Sequence, residues 1–187
     1  MSTESAGIAV ILGSVRNERF GKQVTTWVHK QLAEAGHQVD LIDLAELTFP
    51  SNMDPHPDVA SFTERIDRVD AVLVVTPEYN HSVPGPLKVA IDAVRNEWQA
   101  KPIGFVSYGG MSGGLRAVEA LRLIFAELHA VTVRDTVSLH NPWGPAADPT
   151  VSYPGQAESE ALRTMMQQLL WWANALRAAK LKEPYPT

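Results

Sequence analysis

Residues 71–77, Ala71-Val72-Leu73-Val74-Val75-Thr76-Pro77, decide the fold. The run is continuously apolar rather than alternating, rich in β-branched valine, and too short for an ordinary helix. It reads as a strand, Ala71 to Thr76, buried on both faces and stopped by Pro77. A strand of that kind needs helices on both sides, and the flanking sequence supplies them. Gly7 to Leu12 (GIAVIL) is an equivalent run, with further strands at Val39 to Leu44 and Ile103 to Tyr108. A shorter β-rich segment runs from Val131 to Leu139. Between them lie helical spacings. From Gly21 to Ala35, Val24, Trp27, Val28, Leu32 and Ala35 recur on one side, and Gly36 is placed to end the helix. Pro57 to Arg68, Pro84 to Val94 and Leu115 to Leu128 follow, the last with Leu115, Val118, Leu121, Phe125 and Leu128 aligned. A Pro/Gly-rich loop, Asn141 to Gly155, precedes a final helix from about Glu158 to Ala179. Strict strand–helix alternation predicts an α/β fold, a five-stranded doubly wound parallel sheet with helices on both faces. No repeat or linker interrupts it, so residues 1–187 read as one domain.

The chain has 187 residues, 45% hydrophobic and 20% charged, enough to build a core on each face of a sheet. Sixteen Lys and Arg against 21 Asp and Glu give a net charge of −5, which argues against a nucleic-acid binder. There is no cysteine, so disulfides, thiol chemistry and zinc–thiolate sites are excluded, and redox chemistry would require a bound cofactor. The six histidines are scattered, without a pair at helical ligand spacing, and Asp54-Pro55-His56-Pro57-Asp58 reads as a loop, so no metal is expected. The opening MSTESAG lacks the basic and apolar pattern of a leader, and no apolar run is long enough to span a bilayer. A cytoplasmic protein is expected.

In a doubly wound sheet, ligands sit beyond the carboxyl ends of the strands, where the winding reverses. Three loops fall there. Strand one is followed by Gly13-Ser14-Val15-Arg16-Asn17-Glu18-Arg19-Phe20-Gly21-Lys22, whose cations reverse the sign of the whole chain. A helix N-terminus, a serine hydroxyl and two arginines suit a phosphate, though a solvated surface turn would look similar. Seven residues separate Gly13 from Gly21 and Gln23 follows Lys22, so the loop is not a P-loop; G-x-G-x-x-G is also absent. Strand three is followed by Pro77-Glu78-Tyr79-Asn80-His81-Ser82-Val83-Pro84-Gly85, a proline-bounded segment able to line a planar ring or simply to turn. Strand four is followed by Gly109-Gly110-Met111-Ser112-Gly113-Gly114, glycines that let backbone approach a flat ligand. Together the three describe a site for a flavin mononucleotide.

These segments, GSVRNERFGKQVTTWV, TPEYNHSVPGPLKVAID and YGGMSGGLRAVEALR, resemble the NAD(P)H-dependent FMN reductase family, whose fold is flavodoxin-like and which includes quinone, azo-dye, chromate and flavin reductases. The resemblance spans about Ile8 to Leu139. It implies that Ser14, Arg16, Arg19, Phe20 and Gly21 surround the FMN phosphate. It implies further that Pro77, Glu78, Tyr79 and Asn80 line the isoalloxazine, with Gly110, Ser112 and Gly113 at its pyrimidine side. Non-covalent FMN, NADPH or NADH as hydride donor, and a small acceptor (quinone, azo dye, free flavin or metal oxyanion) are likewise implied, with no catalytic side chain assigned. The chain departs from many relatives at Arg19 and Gly21, where serine and asparagine are common, and at Val89, where an asparagine often serves subunit contact. A homodimer or homotetramer is expected, through Pro84 to Val94 or the last helix, which carries Leu162, Met165, Met166, Leu169, Leu170, Trp171, Trp172 and Leu176. Trp143 is a candidate wall of the acceptor pocket or a core residue. Two rivals remain. One is an electron carrier of the flavodoxin type. The other is a serine hydrolase, since Gly110-Met111-Ser112-Gly113-Gly114 matches G-x-S-x-G and His129 and His140 follow it.

Overall fold

The computed structural model describes residues 6–148, 150 and 153–186. Six parallel strands form one sheet: β1 (Ile8–Leu12), β2 (Val39–Asp43), β3 (Ala71–Pro77), β4 (Pro102–Gly109), β5 (Val131–Thr132) and β6 (Val137–His140). Their order is β2-β1-β3-β4-β5, with β6 also paired to β4. The helices are α1 (Gly21–Glu34), α2 (Pro57–Arg68), α3 (Gly85–Asp92), α4 (Leu115–Glu127), α5 (Trp143–Ala147) and α6 (Gln156–Lys180). This is the flavodoxin-like order, and it reverses between β1 and β3.

Alternation along each strand sorts the core into two layers. Ile8, Val10 and Leu12 of β1 meet Val24, Val28 and Leu32 of α1 and Leu162, Met165 and Leu169 of α6. Ala9 and Ile11 point the other way, toward Phe62 and Ile66 of α2, Leu87 and Ile91 of α3, and Val118, Leu121 and Phe125 of α4. Every residue of β1, β3 and β4 is buried, as continuous apolar runs require. Leu115 is the exception on α4, 42% exposed despite its spacing. Gly36 follows α1 with φ +82°, the left-handed stop its position suggested.

The five-position sheet is as expected, with one refinement, and the loop before the last helix is corrected. The fifth strand position is filled by two segments, so six strands occupy the five positions. β5 pairs with Pro102 and Ile103, and β6 with Val106 to Gly109. Between them the chain bows out, and Arg122 of α4 donates to the carbonyls of Val133 and Arg134, both at 2.8 Å. The Pro/Gly-rich loop also contains a helix, α5, because Pro145 stands in its first turn, where proline is tolerated. Pro149, Val151 and Ser152 of that loop, and the opening Met1–Ser5, lie outside the described residues. Among the described residues no helix is long and apolar enough to cross a membrane.

Candidate functional site

The carboxyl ends of β1, β3 and β4 open into one cavity of about 820 Å³. Ser14, Arg16, Arg19, Phe20, Pro77, Glu78, Tyr79 and Gly110 line it, together with Glu18, Lys22, Tyr108, Trp143 and Ala147. Gly21, Asn80, Ser112 and Gly113 do not line it; they hold the segments that do.

The loop after β1 is pinned at its base, where the Gly13 N–H donates to the Val75 carbonyl at 2.9 Å. Ser14 is fully buried, its hydroxyl 2.9 Å from the Tyr79 hydroxyl. Arg16 is exposed, with its guanidinium carbon 5.5 Å from the centre of the Tyr79 ring. The Arg19 side chain is buried instead, 8% exposed, and pairs with Asp43 at the end of β2. Its Nε is a buried donor with no partner among the described contacts. Phe20 caps α1 without a side-chain hydrogen bond, while the Lys22 and Gln23 N–H groups donate to the Arg19 and Phe20 carbonyls at 3.2 and 3.0 Å. Phe20 also packs edge-on against Tyr108 at 5.7 Å and stacks on Trp143 at 6.1 Å. Gly21 is required by crowding, since a Cβ there would lie 2.5 Å from the Tyr108 hydroxyl oxygen.

After β3 the Glu78 N–H donates to the Tyr108 carbonyl at 3.1 Å. Tyr79 and Ser82 then exchange backbone hydrogen bonds of 2.9 and 3.0 Å around Asn80 and His81. Both central residues are left-handed, φ +48° and +71°, the geometry of a two-residue hairpin turn. Asn80 tolerates this backbone readily; His81 costs about 1 kcal/mol or more there.

After β4 the glycines are packed against their surroundings. A Cβ on Gly113, φ +59°, would approach the Ser138 hydroxyl to 2.3 Å, and one on Gly114, φ +88°, the Ser107 Cβ to 2.7 Å. The hydroxyls of Ser107 and Ser138 both donate to the Gly113 carbonyl at 2.9 Å. Ser112 donates to Glu78 Oε2 at 2.5 Å, and Arg116 of α4 adds its backbone N–H at 3.1 Å and Nη1 to Oε1 at 3.0 Å. Burial pushes the Glu78 carboxyl up, but the hydrogen bonds from Ser112 and Arg116 outweigh it and hold it below the usual glutamate value. Burial also pushes the Tyr108 phenol well above its usual range.

This geometry disposes of the hydrolase. The Ser112 hydroxyl points at an ionised carboxylate, and neither histidine reaches it. His140 lies on the Met111 carbonyl at 3.1 Å, and His129 on the Tyr185 hydroxyl at 3.1 Å. The site does fit FMN: an unpartnered guanidinium donor and a helix start without a side-chain cap stand at one end, aromatic and glycine walls at the other. Its volume lies within the range of small-molecule sites. Tyr108 and Arg116 give no site signal in the sequence; Tyr108 reads there as one more residue of a buried strand.

The strand order and the three loops define a flavodoxin-like protein. The chain belongs to the NADPH-dependent FMN reductase family, whose model matches residues 6–144. It is 36% identical over 128 residues to an NAD(P)H-dependent FMN reductase of Nectria sp, covering 60% of this chain and 63% of that one. It is 35% identical over 127 residues to a 2-hydroxy-1,4-benzoquinone reductase of Burkholderia sp, covering 65% and 66%. The match thus spans somewhat under two thirds of these relatives' own length. Its fold is like that of a flavoenzyme NAD(P)H:(acceptor) oxidoreductase from Paracoccus denitrificans, TM-score 0.74 at 23% identity, over 91% of this chain and 98% of that one.

Proposed function

We propose that the chain is an NAD(P)H-dependent FMN oxidoreductase that reduces a small acceptor, a quinone being the favoured class. The observation that carries this reading is the cavity in which the three loops meet. Within it, Arg16 and the first turn of α1 would hold the phosphate, and Arg19, fixed by Asp43, would turn its free Nε toward it. Tyr79, Gly109 and Gly110 would bound the ring, with the turn from Ser112 to Gly114 holding that segment in place, and Phe20, Tyr108 and Trp143 would keep water from the adjoining wall. FMN bound there would supply the hydride chemistry, taking hydride from NADPH or NADH and giving it to the acceptor. The side chains would act by binding and orientation; none is placed to move a proton. The quinone reductases of Burkholderia and Pseudomonas putida, the latter 36% identical over 134 residues, support the choice of acceptor.

We also read residues 1–187 as one domain, cytoplasmic and dimeric or tetrameric. Trp171, 64% exposed, and Trp172 on α6 offer apolar surface for assembly, as do Leu47, Phe49, Pro86 and Val89 around α3. Titrating apoprotein with FMN, followed by steady-state assays with a quinone, tests the function. Tight one-to-one binding and parallel double-reciprocal lines are expected; a protein that retains no FMN, or shows no quinone turnover when loaded, would refute it.

A further inference from the structure

Glu78 and Tyr79 are adjacent in the chain, yet their side chains are held by different loops. Both oxygens of the Glu78 carboxylate are committed to the start of α4, through Ser112 and Arg116. The Tyr79 hydroxyl is committed to buried Ser14, on the loop after β1. The backbone between them has little freedom, being bonded to the Tyr108 carbonyl on one side and closed into the Asn80–His81 turn on the other. A carboxylate at the N-terminal end of α4 is also favoured by the helix dipole.

We propose that Glu78 is a positioning residue: its carboxylate sets the spacing between the two loops that grip the planar ring, and Tyr79 relays that spacing to the phosphate loop through Ser14. The inference rests on the FMN reading of the cavity. Arg116 is the charged group facing Glu78 from α4, and Ser112 the neutral one from the glycine loop. Arg16, Glu18, Arg19 with Asp43, and Lys22 stand across the cavity, and His140 lies behind the glycine loop on the Met111 carbonyl. Protonating Glu78 removes its ion pair with Arg116 and loosens the tie. Its carboxyl is held below the usual glutamate value, so that loss belongs to acid solution.

Riboflavin is the suitable probe, because it carries the ring and has no phosphate to titrate. Its dissociation constant, read from quenching of flavin fluorescence, is measured from neutral to acid pH for wild type, Glu78→Gln and Arg116→Ala. The wild type is expected to hold its affinity until the pH falls below the usual glutamate range, then lose it. Glu78→Gln should bind about tenfold more weakly at neutral pH, as loss of one charge-assisted bond implies, and show no acid step of its own. Arg116→Ala should fall between them, and the double variant should be no worse than Glu78→Gln. Tyr79→Phe should weaken FMN more than riboflavin. Equal affinities and parallel pH curves for wild type and Glu78→Gln would overturn the proposal. Should Glu78→Gln fail to fold, as judged by circular dichroism, Arg116→Ala decides alone, because its side chain is 44% exposed. A folded wild type that binds neither FMN nor riboflavin would overturn the reading of the cavity itself, and this proposal with it.

Discussion

Replacing Gly21 by alanine tests how tightly the phosphate loop is built onto the sheet. In an ordinary helix the change stabilises by up to about 1 kcal/mol, because alanine restricts the unfolded chain. Here the new Cβ would stand 2.5 Å from the Tyr108 hydroxyl oxygen and 2.7 Å from Leu12 Cδ1. Leu12 can yield, since the contact is the end of a flexible side chain. Tyr108 cannot easily do so: it is buried at the end of β4, and Phe20 packs on its ring. Overpacking of this kind costs about 1–3 kcal/mol, so a net loss of about 1–2 kcal/mol is expected after the helical gain. For a chain of this size that is a fall in Tm of roughly 2–8 °C. Tyr108→Phe removes the offending oxygen and leaves Cζ at 3.4 Å, an ordinary contact. The alanine penalty should therefore nearly vanish in that background, and thermal unfolding of the four proteins gives the coupling directly. An equal penalty in both backgrounds, or a rise in Tm for Gly21→Ala alone, would refute the reasoning.

Arg16→Ala should weaken FMN about ten- to hundredfold, the effect of losing a hydrogen bond to a charged group, while leaving riboflavin affinity nearly unchanged; parallel titrations decide it. Lys101 is buried beneath the end of α2, donating to the carbonyls of Ile66 and Val69, and burial pushes its ammonium down to about 8. Between that value and the ordinary 10.5 the unfolded chain binds a proton the folded one has lost, so stability rises with pH. Denaturant midpoints from pH 7 to 10 should show this rise in wild type and not in Lys101→Met; beyond pH 10 the raised Tyr108 phenol acts in the opposite sense. A fluorophosphonate probe should leave Ser112 unlabelled, as mass spectrometry of the treated protein will report.

Much of the fold could be read from residue pattern because each element announced itself locally. Pro57 and Arg68 bound α2 as expected, and Gly36 ends α1. What escaped depends on distant partners. The break between β5 and β6 is stabilised by Arg122 and by Gln168, whose amide donates to Asp135 at 2.6 Å, and neither is near in sequence. Helix α5 was hidden by Gly144 and Pro145, residues that normally signal a loop. The site shows the same division. The three loops are legible in sequence, and eight of the twelve residues singled out there line the cavity, because glycine, proline and arginine patterns mark backbone shape and charge. The Arg19–Asp43 pair, the reach of Tyr108 into the loop, and the capture of Glu78 by Arg116 join segments 24 to 87 residues apart. No local pattern encodes them. Lys101, just before β4, is buried only because the fold places the end of α2 against it.

Mixing FMN-loaded protein anaerobically with NADH or NADPH, and following flavin absorbance, shows whether nicotinamide delivers hydride to this site. One nucleotide or both should bleach the flavin, and added quinone should restore the colour. Full absorbance retained with both nucleotides, in protein that dithionite still bleaches, would contradict hydride delivery and mark the chain as an electron carrier.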